Sequence, residues 1–353
     1  MTPAAVSGGG DLTAGFLTRA LAGQLGGAVV TSVEISPVGT GQVSDSFRLH
    51  LSYDRDTGLP ATFVAKVPAA DAASRNAARS FRTYEIEASF YDQIAGELPV
   101  ALARCYYAAY DPAPDEYIVL LEDLAPARPG DQLAGLSPDD AAAAIGELAA
   151  MHAAGWASPR LAALPWLNRA SAENSALLAA AITGLYPGFR ERYADRLETA
   201  TLGLIEGFLP QADAYLTMSS GPATLVHGDF RADNLLFGAA RPVVLDWQTC
   251  TFGAAAGDLS YFLGSSLPVA DRQQHEEALV RLYHEAITGR GVGLSWDDCW
   301  SGYRRYAFGG IVMDIIAAMF VQQTERGDEM FTAMANRHAQ HAIDLDALAF
   351  LTV

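Results

Sequence analysis

Hydrophobic positions follow two different rhythms along this chain, and the change between them divides it. Short runs rich in β-branched and aromatic residues predict strands at 33–38, 47–53 and 62–67, then at 103–110 and 117–122. Two helical stretches accompany them. One spans 11–24, with Asp11 as its cap and Leu12, Phe16, Leu17, Leu21 and Leu25 on one face. The other spans 77–95, with Phe81, Tyr84, Ala88, Tyr91 and Ile94 at helical spacing. Beyond Ser137 the period becomes helical almost throughout. Ser137 followed by Asp140 is a capping-box-like start for an alanine-rich helix over 141–154. Further helices are predicted at 171–181, 195–217, 271–288, 297–323 and 330–351. The exception is 224–246, where short strands return. The stretch Ala125-Pro126-Ala127-Arg128-Pro129-Gly130 breaks regular structure. The fold class expected is therefore α+β, with an antiparallel-sheet lobe over 1–124 and a mainly helical lobe over 125–353.

Composition and charge narrow the field mainly by exclusion. Half the residues are hydrophobic and no long charged run points to disorder. The net charge of −18 argues against a nucleic-acid partner, because a phosphate backbone needs basic surface. The longest apolar tract, 307–320, contains Asp314 and is too short to span a bilayer, so no membrane partner is expected. The first residues lack the basic start and apolar stretch of a secretory signal, and the reading is cytoplasmic. Cys105, Cys250 and Cys299 are scattered and make no metal-binding spacing.

The densest chemistry is Leu225-Val226-His227-Gly228-Asp229-Phe230-Arg231-Ala232-Asp233-Asn234, followed by Leu235-Leu236-Phe237 and Val243-Val244-Leu245-Asp246. The two apolar triplets flank Gly238-Ala239-Ala240-Arg241-Pro242, a good hairpin turn. Asn234 and Asp246 are equally far from its centre, so pairing is expected to bring their side chains together. An amide oxygen and a carboxylate suit Mg²⁺, a hard cation that completes its shell with water and nucleotide phosphates. Asp229, on the preceding loop, is placed to orient a substrate hydroxyl and accept its proton during phosphoryl transfer.

This spacing looks like the protein-kinase catalytic loop and its metal aspartate, but His-Gly-Asp stands where protein kinases carry His-Arg-Asp, and Asp-Trp-Gln where they carry Asp-Phe-Gly. In that form it resembles the aminoglycoside phosphotransferase and choline kinase superfamily, small-molecule kinases with a bilobal protein-kinase-like fold. Tyr283-His284-Glu285-Ala286, then Trp296, Cys299 and Tyr303-Arg304, then the stretch from Glu325 to Phe331, look like its ecdysteroid-kinase-like branch. The resemblance implies ATP as cofactor and a matching set of residues. Gly39 and Gly41, between two predicted strands, let backbone N–H groups approach phosphate, and Ser44 adds a hydroxyl donor. Lys66, the single lysine of the chain, falls where the superfamily places its phosphate-contacting lysine, with Glu87 as the better partner over Glu85. Backbone groups of Glu122 and Leu124 fall at the hinge that reads adenine. His227 and His152 fall at bracing positions, and Asp258 at a position that supports the loop.

The acceptor is the least constrained part. The carboxy-terminal helices have few acidic residues within apolar stretches, while Tyr261, Phe262, Tyr306, Phe308, Ile311 and Met319 are available to meet apolar surface. The expected partner is a small-molecule alcohol, largely apolar. An aminoglycoside- or choline-type kinase, and a nucleotide-binding pseudokinase without turnover, are the alternatives. Asp314 is expected to form a salt bridge, with Arg304 or Arg305 as candidates, and substrate binding is the alternative. Trp247 is expected either to wall the acceptor pocket or to fill core.

Overall fold

The computed structural model describes residues 5–39, 43–113, 115–169, 171–218, 221–238 and 240–351. The amino-terminal lobe is built on five strands: β1 (Val30–Pro37), β2 (Ser44–Tyr53), β3 (Thr62–Pro68), β4 (Cys105–Asp111) and β5 (Glu116–Glu122). They form one antiparallel sheet in the order β1-β2-β3-β5-β4. Helix α1 (Ala14–Ala20) precedes the sheet, and α2 (Ala72–Phe81) and α3 (Thr83–Gln93) lie between β3 and β4. Side chains alternate across a strand, and β5 uses both faces. Ile118 and Leu120 join Leu17, Leu21, Leu49 and Phe63 in one core, while Tyr117, Val119 and Leu121 join α3 and the second lobe in the other. The sheet is thus covered on both sides, and its inner face is continuous with the core of the helical lobe.

That lobe contains β6 (Arg128–Pro129), α4 (Pro138–Gly155), α5 (Pro159–Ala162), α6 (Ala172–Tyr193), α7 (Thr199–Phe208) and α8 (Ala212–Thr217). The short strands β7 (Ala223–Val226), β8 (Leu235–Phe237), β9 (Val243–Val244) and β10 (Thr251–Ala254) follow. The chain then closes with α9 (Ala255–Ser266), α10 (Val269–Thr288), α11 (Trp296–Arg305), α12 (Gly309–Phe320) and α13 (Glu325–Asp344). This is the α+β, two-lobed arrangement expected, with strands first and helices after.

Several elements differ from the sequence expectation for local reasons. The first helix is capped by Thr13, whose hydroxyl accepts from the Phe16 N–H, while Asp11 accepts from Ser7 instead. The helix expected over 77–95 is two helices broken at Arg82, which adopts φ 59° and grips Glu85 with both guanidinium arms. The break turns Phe81 away from the core; it is 42 % exposed and meets Phe320 of α12 edge to face. Pro210, which lacks an N–H, interrupts the helix expected over 195–217 with a 3₁₀ turn. Tyr306-Ala307-Phe308 separates α11 from α12, and α12 then comes so close to His338 that a Cβ on Gly310 would lie 2.1 Å from the ring. Conversely, α6 runs past Pro187 to Tyr193, since Ile182, Tyr186, Phe189 and Tyr193 are all buried on one face. Ser137 caps α4 through the Asp140 N–H, as expected.

Candidate active site

The loop between β7 and β8 carries the His-Gly-Asp sequence, and its shape is set by groups that hold its backbone. Asp258, buried at the start of α9, accepts from the N–H groups of His227 (2.6 Å) and Gly228 (2.9 Å). Its other neighbour is His152 of α4, whose Nε2 lies 3.3 Å from Oδ2 and whose Nδ1 meets the Tyr283 hydroxyl. His227 spends both ring nitrogens on backbone: Nδ1 accepts from the Asp229 N–H and Nε2 donates to the Leu245 carbonyl. Gly228 has φ 81°, and a Cβ there would sit 2.8 Å from the Thr249 carbonyl oxygen. Glycine is thus required for conformation as well as space.

Asp229 projects from this loop with its carboxylate held on all sides. Arg231 Nε donates to both oxygens (3.0 and 3.2 Å), Tyr261 donates its hydroxyl to Oδ1 (2.8 Å), and Asn234 Nδ2 donates to Oδ2 (2.9 Å). Arg231 is itself shared with Asp233, whose other oxygen accepts from the Gln132 N–H. Burial alone would lower the Arg231 pKa, but Asp229, Tyr261 and Asp233 together raise it, so it stays charged. Sequence gives Arg231 no role, and Tyr261, expected to meet apolar acceptor surface, instead spends its hydroxyl on Asp229. The only signal for Arg231 was its place inside the motif, between the two polar ends of the loop.

The hairpin after the loop pairs Leu235 with Val244 and Leu236 with Val243. This register differs by one residue from the symmetric pairing expected. Leu245, not Asp246, is opposite Asn234, donating its N–H to the Asn234 carbonyl (2.9 Å). A one-residue slip in a regular strand would turn the next side chain to the opposite face. Asp246 escapes that rule by leaving the strand in left-handed backbone, φ 63°.

Asp246 then reaches the amino-terminal lobe. Lys66 on β3 donates to Asp246 Oδ1 (2.8 Å) and to Glu87 Oε1 on α3 (2.7 Å). Glu87 also accepts from the Tyr117 hydroxyl on β5. Burial alone would lower the lysine pKa, yet the two carboxylates overcome it and raise it. Burial would raise the Asp246 pKa, and Lys66 reverses that to hold it below the usual carboxylate range. Burial dominates for Glu87, whose pKa is raised despite Lys66.

The remaining predicted positions divide. Gly39 adopts φ 76° with open space around its α-carbon, whereas Gly41 lies outside the described residues. Ser44 opens β2 opposite Pro68 and is buried. The Tyr84 hydroxyl ties the same region to β3, donating to the Val43 carbonyl and accepting from the Ala69 N–H. Glu122 donates its N–H to the Arg104 carbonyl, and the Leu124 carbonyl accepts from Ala127. Asp123 between them is clamped by Arg48 of β2 through both carboxylate oxygens. Trp247 is fully buried, stacked on Phe90 at 4.0 Å, and so fills core. The salt bridge expected for Asp314 is absent: neither oxygen has a partner among the described residues, and Arg304 donates to the Leu345 carbonyl instead.

Asn234 spends its amide N–H groups on Asp229, leaving its side-chain oxygen for a ligand, and Asp246 presents a carboxylate that is 28 % exposed. Among the described residues no group of three His, Cys, Asp or Glu side chains could hold a metal alone. A pair of oxygen donors fits Mg²⁺ that arrives with nucleotide phosphates and water as its other ligands.

A sheet lobe, a helical lobe and this junction between them define the protein-kinase-like fold of the aminoglycoside phosphotransferase and choline kinase superfamily. Within it, the chain belongs to the ecdysteroid kinase-like family, whose sequence pattern matches residues 39–290. The choline kinase of Cryptosporidium parvum shares the fold at 11 % identity, with a TM-score of 0.54 and 89 % of each chain covered. A spectinomycin phosphotransferase solved with ADP and spectinomycin shares it at 12 % identity and TM-score 0.52, covering 96 % of this chain and 99 % of that one. Among curated proteins, mouse acyl-CoA dehydrogenase family member 10 is 36 % identical over 125 residues, 31 % of this chain and 12 % of that protein. Rat acyl-CoA dehydrogenase family member 11 is 29 % identical over 132 residues, 33 % of this chain and 17 % of that protein. The chain therefore matches only a small part of each relative's length.

Proposed function

We propose that this protein is an ATP- and Mg²⁺-dependent phosphotransferase whose acceptor is a hydroxyl of a small, largely apolar alcohol. The observation that carries this reading is Lys66, whose ammonium joins Glu87 on one lobe to Asp246 on the other. An isolated structural ion pair would not need three groups from both lobes, one buried and two half-buried, because desolvating ions costs stability. A site that must position phosphates does.

In this reading Lys66, held by Glu87, contacts the phosphates. Gly39, Gly41 and Ser44 belong to the loop that receives the phosphates, with Ser44 as a hydroxyl donor. The Glu122 carbonyl and the Leu124 N–H face adenine. Asn234 and Asp246 hold the magnesium, which supplies charge neutralisation on the phosphates when bound. Asp229 orients the attacking hydroxyl and accepts its proton, while Arg231, Tyr261 and Asn234 fix the angle of its carboxylate.

The apolar lining of the acceptor side is narrower than the sequence suggested. Tyr261, Phe262, Phe308 and Ile311 are packed in the core, which leaves the half-buried Tyr306 and Met319 as candidates. A screen of ATP consumption over apolar, choline-like, steroid, sugar and aminoglycoside alcohols tests the proposal. Phosphorylation of an apolar alcohol is expected. A much higher kcat/KM for an aminoglycoside would overturn the acceptor class, and binding of ATP with no consumption on any alcohol would favour a pseudokinase.

A further inference from the structure

Among the described residues, one buried carboxyl has no partner. Glu87, Asp115, Glu147, Asp258 and Asp328 are all buried, and each is hydrogen-bonded or ion-paired. Asp314, 1 % exposed in the apolar run Gly310 to Ile316 of α12, has neither oxygen satisfied. A carboxyl left in that state costs stability, and a fold gains nothing from it unless something else meets it.

Its helix, α12, packs against α9, which carries Tyr261. Burial pushes its pKa well above the carboxylate range, and the charges that act on it are Arg231 and Asp229. Tyr261, whose hydroxyl holds Asp229, feels Asp314 as well. The ring of Tyr261 stacks on His338 of α13, and His338 is fully buried with both nitrogens unsatisfied. Gly310, one turn before Asp314 on the same face of α12, is the residue whose missing side chain makes room for His338. The two unsatisfied groups thus belong to α12 and α13, which both pack on α9, whose Tyr261 hydroxyl touches Asp229.

The local charge selects the kind of group that would satisfy Asp314. Arg231 stands nearby and disfavours an ammonium. Asp229 and Asp233, already paired to that arginine, disfavour a carboxylate. A buried acid that donates one hydrogen bond and accepts another matches a hydroxyl or a carbonyl. Resting on the phosphotransferase reading above, we infer that Asp314 is a specificity-determining residue that binds a second, uncharged oxygen function of the acceptor. The substrate is then an alcohol with two oxygen functions on an apolar frame, one taking the phosphoryl group and one held by Asp314.

The test compares the full-length protein with Asp314→Asn, which keeps the hydrogen-bonding shape, and Asp314→Val, which keeps the shape alone. Probes are 1-octanol, the octanediols from octane-1,2-diol to octane-1,8-diol, and 8-amino-1-octanol. The wild type is expected to use its best diol at least about tenfold better in kcat/KM than 1-octanol, since a site built to bond a hydroxyl rejects the analogue lacking it. Asp314→Asn should keep most of that preference and Asp314→Val should lose it. Equal use of 1-octanol and every diol by the wild type overturns the inference, as does a preference for the amino alcohol or a diol preference unchanged in Asp314→Val.

Thermal unfolding supplies an arm that needs no turnover. Removing an unsatisfied acid should raise the Tm of Asp314→Val by about 2 °C or more. An unchanged or lower Tm shows that the carboxyl serves the fold and overturns the inference. The two proposals can fail separately. Diols that raise the Tm of the wild type but not of Asp314→Val, with no ATP consumed, sink the kinase reading and keep this one. ATP consumption with an intact diol preference in Asp314→Val does the reverse.

Discussion

The Lys66 ammonium lies 2.8 Å from the carboxylate of Asp246, a residue 180 positions further along the chain. That contact ties a strand of the sheet lobe to the end of a hairpin in the helical lobe. Because Lys66 also holds Glu87, three charges share one buried point, and each variant there has a distinct expected outcome.

Lys66→Arg keeps the charge but replaces a compact ammonium with a planar fork that cannot serve two carboxylates in the same space. We expect kcat/KM for ATP to fall by about 10- to 100-fold, the worth of one charge-assisted hydrogen bond. Glu87→Ala should give a smaller kinetic loss, because Asp246 still holds the lysine. Steady-state kinetics and Mg–ATP titration check both, and unchanged values for Lys66→Arg would return the lysine to a structural role.

Asp229→Asn should lower turnover by ~10²–10⁴-fold, the usual worth of a positioned general base, while Mg–ATP still binds. Asp246→Ala should instead remove productive Mg–ATP binding and leave Lys66 held by Glu87 alone. Calorimetric titration separates the two. Equal loss of nucleotide affinity in both variants would show that Asp229 is needed for binding and not for proton transfer.

The stability of the protein should respond to pH through two opposed groups. Burial, with His341, Arg337 and Arg272 adding to it, depresses the His338 pKa well below its ordinary 6.5. Below that value the unfolded chain gains a proton that the native state refuses, so stability falls as pH falls. Asp314 behaves oppositely: its raised pKa means the native state binds a proton the unfolded chain lacks, so stability rises as pH falls through that pKa. Asp314→Asn removes the second term. On acidification it should lose stability more steeply than the wild type, read by urea unfolding. Parallel pH profiles would refute this account of the pair.

Two glycine substitutions should separate conformation from composition. Gly228→Ala meets both a positive φ and the Thr249 carbonyl, and should cost about 1–3 kcal/mol with a marked loss of turnover. Gly146→Ala lies within α4 with nothing within 4 Å of the added carbon, and should stabilise by roughly 0.5–1 kcal/mol. Chemical denaturation of both variants measures the contrast, and equal effects would remove the geometric argument for Gly228.

The order of elements, the two-lobed class and the main polar positions were legible because each is written in local spacing. Strand runs, helical periodicity and the polar residues between β7 and β9 depend on near neighbours in sequence. What only tertiary structure decided depends on which distant groups arrive at one place. Arg82 breaks a helix whose apolar period is unbroken in sequence, and α6 continues through Pro187 because its buried face outweighs a missing hydrogen bond. Asp246 is brought into place by a one-residue register and a left-handed turn that no symmetry of the hairpin predicts. Trp247 and Asp314 show the same limit most plainly. Sequence marks each as unusual, but whether a side chain finds stacking partners, as Trp247 does on Phe90, or none, as with Asp314, is fixed by helices and strands far apart in the chain.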